Sequence, residues 1–264
     1  MNLTDLLPIA HEAVDQATQL VTDMAVGTVT AKGDRDMVSG IDLAVEDKLR
    51  AFLLRETPHI GFLGEERGGA GANSALTWAL DPVDGTANLI HGLPLCGISL
   101  GLIDGDRSVL GVINLPFLDE RFHAAEGHGA YCGKTQLRAS TTTDLTQAVV
   151  SIGDYAVGTD ATGRNRPRLA LTRLLAERVQ RVRMFGSAAI DLVWAAAGRV
   201  DATIAFSNHP WDMSAGVVIA REAGASVMDT AGEPHTITST ATVSAAPGIR
   251  EDILQILRMT EEQL

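Results

Sequence analysis

Over residues 3–26, apolar side chains recur at Leu6, Leu7, Ala10, Ala13, Val14, Ala17, Leu20, Val21 and Met24. This is the period of a helix with one buried face. A second helix is expected from Asp42 through Glu56, capped by Ser39 or Asp42, with polar, turn-like Lys32–Asp36 between the two. His59 to Leu63 reads as a strand ending at Gly64-Glu65-Glu66, and glycine-rich Gly68–Asn73 as a surface loop. Thr77 to Leu80 is a short buried strand that stops at Asp81, where Pro82 ends the ladder and Asp84-Gly85 turns the chain. Thr86 and Asn88 follow at a helix start, whose free N–H groups favour an anion.

From Cys96 to Ala130, apolar runs broken by Asp104-Gly105, Pro116 and Gly127 predict a set of antiparallel strands. Ala148–Ser151 is a further strand, and the polar segment Ser151–Pro167 a loop. Beyond it, strands near Val179–Met184, Ala202–Phe206, Ser226–Met228 and Ala241–Ser244 alternate with helices. Those helices are Arg168–Glu177, Ala188–Gly198, Met213–Ala223 and Arg250–Arg258. The pattern is that of an α/β layered fold of two linked subdomains, with functional residues at strand ends and loops.

Composition narrows the function. The 264 residues are 45% hydrophobic, enough for a sizeable core, and aromatics are scarce, so Ala, Val, Leu and Ile do most of the packing. A net charge of −12 argues against a nucleic-acid or membrane surface but not against an anionic substrate, because a bound divalent cation reverses the local sign. Cys96 and Cys132 are the two cysteines and have no metal-ligand spacing, so neither a disulfide framework nor a zinc site is supported. No basic, apolar leader and no membrane-length apolar run is present, and a reducing cytoplasm is the expected location.

Acids fall where strands end or helices begin: Asp42, Glu65 and Glu66, Asp81 and Asp84, and Asp212. Taken singly, Asp-Gly is a common turn and Asp42 and Asp212 are ordinary N-caps. Together, beside an anion site, they are repulsive unless a divalent cation lies between them. Mg²⁺ needs only a few hard oxygen ligands, and two such ions ~4 Å apart suit an in-line displacement at phosphorus. The Val83 carbonyl offers a neutral ligand if the turn points it outward.

Asp81-Pro82-Val83-Asp84-Gly85-Thr86-Ala87-Asn88, with Gly64-Glu65-Glu66 upstream and Trp211-Asp212-Met213-Ser214-Ala215-Gly216 downstream, resembles the inositol monophosphatase family. Gly186-Ser187-Ala188-Ala189, Glu222-Ala-Gly224 and Gly127–Cys132 fit as well, so the likeness runs in order from about Lys32 to Met228. The resemblance implies one domain over 1–264, an αβαβα sandwich of two intimately packed subdomains of about 1–145 and 146–264. It also implies a Mg²⁺-dependent, lithium-sensitive phosphatase with two or three ions, acting as a homodimer. Glu65, Asp81, Asp84, Asp212 and the Val83 carbonyl would be metal ligands, with Asp42 holding a weaker ion through water. Glu65 and Thr86 would orient the attacking water, and the Gly85 and Thr86 amides would hold phosphate oxygens. Asp84, Asp212 and the Gly186-Ser187-Ala188 turn would complete the substrate site, with the leaving group protonated near Asp212.

Two departures stand out. The family's Thr-Ala-x-Asp reads Ser39-Gly40-Ile41-Asp42 here, which keeps the acid. The Glu that inositol phosphatases carry seven residues before the second-signature Asp is Ala205, which cannot accept a substrate hydroxyl's hydrogen bond. Asn208 and His209 either compensate or shape the loop before Pro210. The substrate expected is therefore a small polyol or sugar phosphate, inositol 1-phosphate first, with histidinol phosphate and fructose 1,6-bisphosphate as alternatives. Adenosine 3′,5′-bisphosphate is disfavoured for want of a basic or aromatic cluster. An aspartyl-phosphate enzyme of the haloacid dehalogenase type needs its two Asp residues one position closer than Asp81 and Asp84. A catalytically silent metal-binding scaffold would have lost a ligand or Thr86, and none is missing.

Overall fold

The computed structural model describes residues 3–24, 29–33, 36–206 and 209–263. The first apolar stripe forms α1 (Leu3–Asp23), whose buried face runs from Leu6 to Val21. A hairpin of β1 (Val29–Gly33) and β2 (Asp36–Ser39) leads into α2 (Gly40–Glu56). Ser39 is the N-cap of α2: its Oγ accepts from the Ile41 amide at 3.2 Å, and Asp42 Oδ2 accepts from the Ser39 amide at 2.9 Å. This capping box fixes both the helix start and the Asp42 side chain.

The chain then builds β3 (Gly61–Gly64), β4 (Gly68–Gly71), β5 (Leu76–Asp84), the short α3 (Thr86–Ile90), β6 (Gly97–Asp104), β7 (Arg107–Leu115), β8 (Glu120–Ala125), β9 (Ala130–Cys132) and β10 (Thr135–Gln136). Its eight strands form one sheet in the order β10-β9-β8-β7-β6-β5-β3-β4, antiparallel throughout except for β3 beside β5. A second sheet is made by β11 (Val149–Ile152), β12 (Arg181–Arg183), β13 (Ala202–Ala205), β14 (Ser226–Met228) and β15 (Thr242–Ala245), ordered β12-β11-β13-β15-β14. Between these strands run α4 (Ala161–Ala176), α5 (Ala188–Ala196) and α6 (Pro210–Glu222), and α7 (Arg250–Glu261) closes the chain.

Five layers result. α1 and α2 pack on one face of the large sheet, around Leu49, Phe62, Leu80 and Leu100. α5 and α6 lie between the sheets, and α4 and α7 cover the far face of the small one. This is the expected αβαβα sandwich. Among the described residues no helix is long and apolar enough to cross a membrane.

The middle layer sits close because the large sheet offers glycine beneath α6. A Cβ at Gly111 would lie 2.5 Å from the Ala215 carbonyl oxygen and 2.6 Å from its Cα, both backbone atoms that cannot step aside. Gly111→Val is therefore expected to destabilise the protein by roughly 3 kcal/mol, a fall in Tm of roughly 6–12 °C for a chain of this size. Gly163→Ala, in α4 with open space around it, should instead raise Tm slightly. Thermal unfolding followed by circular dichroism checks both; an unchanged Tm for Gly111→Val would mean that α6 is not seated on β7.

Three expectations need correction. Gly68–Gly71 is not a loop but an edge strand, paired antiparallel with β3 from Gly61↔Gly71 to Gly64↔Gly68. A strand rich in glycine has no side-chain alternation to betray it. Ser151–Pro167 is not loop throughout, because α4 begins at Ala161 and contains Pro167. Tertiary contacts supply the missing local signal: the Asn165 side chain bonds both the amide and the carbonyl of Ala156, and Tyr155 Oη meets Thr172 Oγ1 at 3.0 Å. Finally, Pro82 does not end its strand. β5 continues to Asp84, and the pairing with β6 slips between Asp81↔Ser99 and Asp84↔Gly97. A bulge is where a sheet tolerates a proline.

Candidate active site

Because β3 and β5 run parallel, their C-terminal ends emerge side by side. The Glu65 amide donates to the Leu80 carbonyl at 3.2 Å, which brings Glu65 next to Asp81. Asp81 is buried, and its Oδ1 accepts from the Val83 amide at 2.9 Å across the bulge. Gly85 then takes a left-handed conformation at φ 91°, and a Cβ there would stand 2.8 Å from the Leu95 carbonyl oxygen. Only glycine makes this turn. Thr86 Oγ1 lies 3.0 Å from Asp42 Oδ1 and 2.9 Å from the Val83 carbonyl oxygen. With a single proton, the hydroxyl donates to one of them at a time. Asn88 donates from Nδ2 to the carbonyls of Leu95 and Phe185, at 2.7 and 2.8 Å, tying the turn to the segment that precedes α5.

That segment supplies Gly186, Ser187 and Ala188. Ser187 caps α5, with its Oγ accepting from the Ile190 amide at 3.2 Å and donating to Asp84 Oδ2 at 2.7 Å. The Ala189 amide donates to the same oxygen. The Asp84 carboxylate thus rests on the first turn of a helix, where backbone dipoles favour negative charge. Asp212 lies in the first turn of α6, which starts at Pro210 and is anchored to the large sheet where Ser99 Oγ donates to the Trp211 carbonyl at 3.3 Å. Asp84, Asp212, Gly186, Ser187 and Ala188 line one cavity of about 170 Å³ together with Gly153, Asp154, Asp191, Ala205 and Met213.

The carboxylates feel one another. Burial raises the Asp81 carboxyl well above the usual range, and the charges of Glu65, Asp84, Asp212 and Asp42 push it further in the same direction. Burial likewise raises Asp84 to about 6, against the pull of its bonds from Ala189 and Ser187. Burial, with Asp84 and Asp42 nearby, pushes the Cys96 thiol up to about 12, so it stands as an inert thiol. The donor set consists of hard oxygens without thiolate or imidazole, and no Lys or Arg lines the cavity. It suits a hard divalent cation. Among the described residues, no three Asp, Glu, His or Cys side chains already converge on one point as metal ligands. Asp42, Asp81 and Asp84 are turned instead onto the donors named above.

The site also contains residues that carry no chemical signal in the sequence. Glu46, one turn beyond Asp42 on α2, is fully buried and accepts from the amides of Glu66 and Arg67 at 2.7 and 2.9 Å. It fixes the turn that carries Glu65, and its carboxyl group occupies the space that a Cβ at Gly64 would need. A Glu four residues before Arg50 reads in sequence as a solvated helix pair. Asp154 and Asp191 entered the cavity wall unannounced as well. His209 is exposed and stacked on Trp211, with ring centroids 5.1 Å apart, and does not line the cavity; Asn208 falls outside the described residues. His123 packs between His11 and Tyr131, away from the acids.

The sequence pattern of the inositol monophosphatase family matches residues 2–261. The chain is 35% identical over 261 residues to inositol-1-monophosphatase ImpA of Mycolicibacterium smegmatis, covering 98% of this chain and 94% of that one. It is 32% identical over 236 residues to a Thermotoga maritima protein named fructose-1,6-bisphosphatase/inositol-1-monophosphatase, covering 88% and 86%. Among solved structures, extragenic suppressor protein suhB from Bartonella henselae superposes with a TM-score of 0.89 at 30% identity, over 96% of this chain and 98% of that one. Inositol monophosphatase from Anabaena does so with a TM-score of 0.87 at 31% identity, over 98% and 97%.

Proposed function

The chain belongs to the inositol monophosphatase family and is a phosphatase of phosphate monoesters, and from its site we propose that it is a Mg²⁺-dependent hydrolase of a small polyol or sugar phosphate. One observation carries this reading: Glu65 lies next to the buried Asp81, Thr86 reaches Asp42, and Asp84 and Asp212 line one cavity, beside a glycine turn and two helix starts. Mg²⁺ held by Glu65, Asp81, Asp84, Asp212 and the Val83 carbonyl, with Asp42 behind them, would supply Lewis-acid activation of water and neutralise phosphate charge.

The chain's own groups do the rest. Glu65 takes the proton of the attacking water, and Thr86, fixed between Asp42 and Val83, orients that water toward phosphorus. The amides of Gly85 and Thr86 hold phosphate oxygens. Gly186, Ser187 and Ala188 bound the far side of the cavity, and Asp212 orients the water that protonates the departing alkoxide. Inositol 1-phosphate is the first candidate, because relatives carry that name; the Thermotoga protein's name adds fructose 1,6-bisphosphate.

The test is inorganic phosphate release from inositol 1-phosphate, histidinol phosphate, fructose 1,6-bisphosphate and adenosine 3′,5′-bisphosphate, each with Mg²⁺ and with EDTA. Mg²⁺-dependent turnover of at least one of the first three is expected. Release that EDTA leaves untouched, or none from any of them, would refute the proposal.

A further inference from the structure

The cavity contains two carboxylates that neither hydrolysis nor cation binding uses. β11 and β13 are parallel neighbours, with the Gly153 amide donating to the Ile204 carbonyl at 3.0 Å, so Gly153 lies beside Ala205, and Asp154, the next residue past the end of β11, lines the same cavity. A Cβ on Gly153 would be 3.5 Å from the Ala205 Cβ. Asp191 comes from the opposite side, on α5. It is only 2% exposed, lines the same cavity, and its Oδ1 has no hydrogen-bond partner among the described residues. A buried carboxylate oxygen without a donor is costly, and the cost falls when a ligand supplies one.

The strands beneath Asp191 continue the polar surface. Ser151, Thr203 and Ser244 are cross-strand partners on β11, β13 and β15, and their hydroxyls too are buried and unpartnered. Their strand neighbours Val150, Ile152, Ala202, Ile204, Val243 and Ala245 belong to the apolar core on the other face. The three hydroxyls therefore face the middle layer that contains Asp191. This is a polar wall in a place where apolar packing would otherwise be expected, next to a position, Ala205, that has no polar group to offer.

We propose that Asp154 and Asp191 accept hydrogen bonds from hydroxyls on the alcohol part of the substrate, from the end of β11 and from α5, in place of an acceptor at residue 205. The inference rests on the phosphatase reading of the site and names its substrate class, a phosphate monoester with several hydroxyls on a compact carbon frame. Burial raises the Asp191 carboxyl well above the usual range against the pull of the neighbouring Ser151 hydroxyl, and the charges of Asp84 and Asp154 add to the rise. A neutral acid both donates and accepts, which suits a hydroxyl.

The test compares wild type with Asp154→Ala, Asp191→Asn and Ala205→Glu. The substrates are inositol 1-phosphate and p-nitrophenyl phosphate, whose alcohol part has no hydroxyl donors. Binding of the phosphonate analogue of inositol 1-phosphate is measured by calorimetry in parallel. In Asp154→Ala, the ratio of kcat/KM for the inositol ester to that for the phenyl ester should fall about tenfold or more, through KM, as phosphonate affinity weakens equally. Asp191→Asn, whose amide also accepts and donates, should lower the ratio less than Asp154→Ala, and Ala205→Glu should bring no gain.

A ratio and an affinity unchanged in Asp154→Ala would overturn the proposal, as would a tenfold gain from Ala205→Glu. Asp154 is exposed, so its variant decides the matter even if Asp191→Asn fails to fold. If neither ester is hydrolysed, the phosphatase reading of the site is at fault. Calorimetry then decides this inference alone: a tenfold weaker phosphonate in Asp154→Ala supports it, and equal affinities, or no binding by wild type, refute it.

Discussion

Asp84→Asn is expected to lower the rate of phosphate ester hydrolysis roughly a hundredfold or more while leaving the fold intact. The two parts of this expectation have separate causes. Asp84 Oδ2 accepts from Ser187 Oγ and from the Ala189 amide. An asparagine carbonyl oxygen can accept both, so the contact between the β5 turn and α5 survives. What is lost is the charge. In the proposed site the Asp84 carboxylate would help hold the cations, and a neutral amide there attracts a divalent ion far less. Since burial already disfavours the charged carboxyl, the metal-free variant should melt no lower than metal-free wild type. Phosphate release and thermal unfolding in EDTA, run on the same preparations, check both parts. A rate near wild type would remove Asp84 from the cation site, and a much lower Tm would show that its role is structural.

The second large effect concerns metal and pH together. Asp84 is raised to about 6 in the folded protein and Asp81 is raised well above the usual range, against about 3.9 for an unfolded aspartate. Between roughly pH 4 and pH 6, the unfolded chain gives up these protons before the folded one does. The metal-free protein therefore loses stability as pH rises through that window, and the penalty from Asp84 is complete above about 6. Mg²⁺ binds the deprotonated carboxylates and offsets the penalty. At a Mg²⁺ concentration ten to a hundred times Kd, the gain is about 1.4–2.7 kcal/mol, or roughly 3–10 °C in Tm. That shift should be present at pH 7.5 and much smaller at pH 5. An equal shift at both, or a larger one at pH 5, would mean that Mg²⁺ stabilises the protein elsewhere.

Much of this was legible in the sequence, for identifiable reasons. The stripe of α1 follows from its period, and the Ser39 cap from a serine three residues ahead of an acid. The strand leading to Asp81, the left-handed Gly85 and the acidic starts of α2 and α6 all rest on strong local preferences. What could not be read depends on the tertiary structure. β4 exists because β3 offers it an edge, not because four residues rich in glycine prefer to extend. α4 begins six residues before its proline because Asn165 and Thr172 bond the preceding segment. Glu46 and Asp191 resemble any acid on a helix until packing shows which face is buried. Asp81 and Asp84 were visible as a pair, yet the bulge that lets Pro82 remain within the strand appears only with β6 alongside.

The most direct test of the central claim is an anomalous difference map from crystals grown with Mn²⁺, a hard ion that also takes oxygen ligands. Peaks bounded by Glu65, Asp81, Asp84 and Asp212, absent from crystals of Asp84→Asn, are the expected result. Mn²⁺ located only away from these residues, in crystals of protein that still releases phosphate, would contradict it.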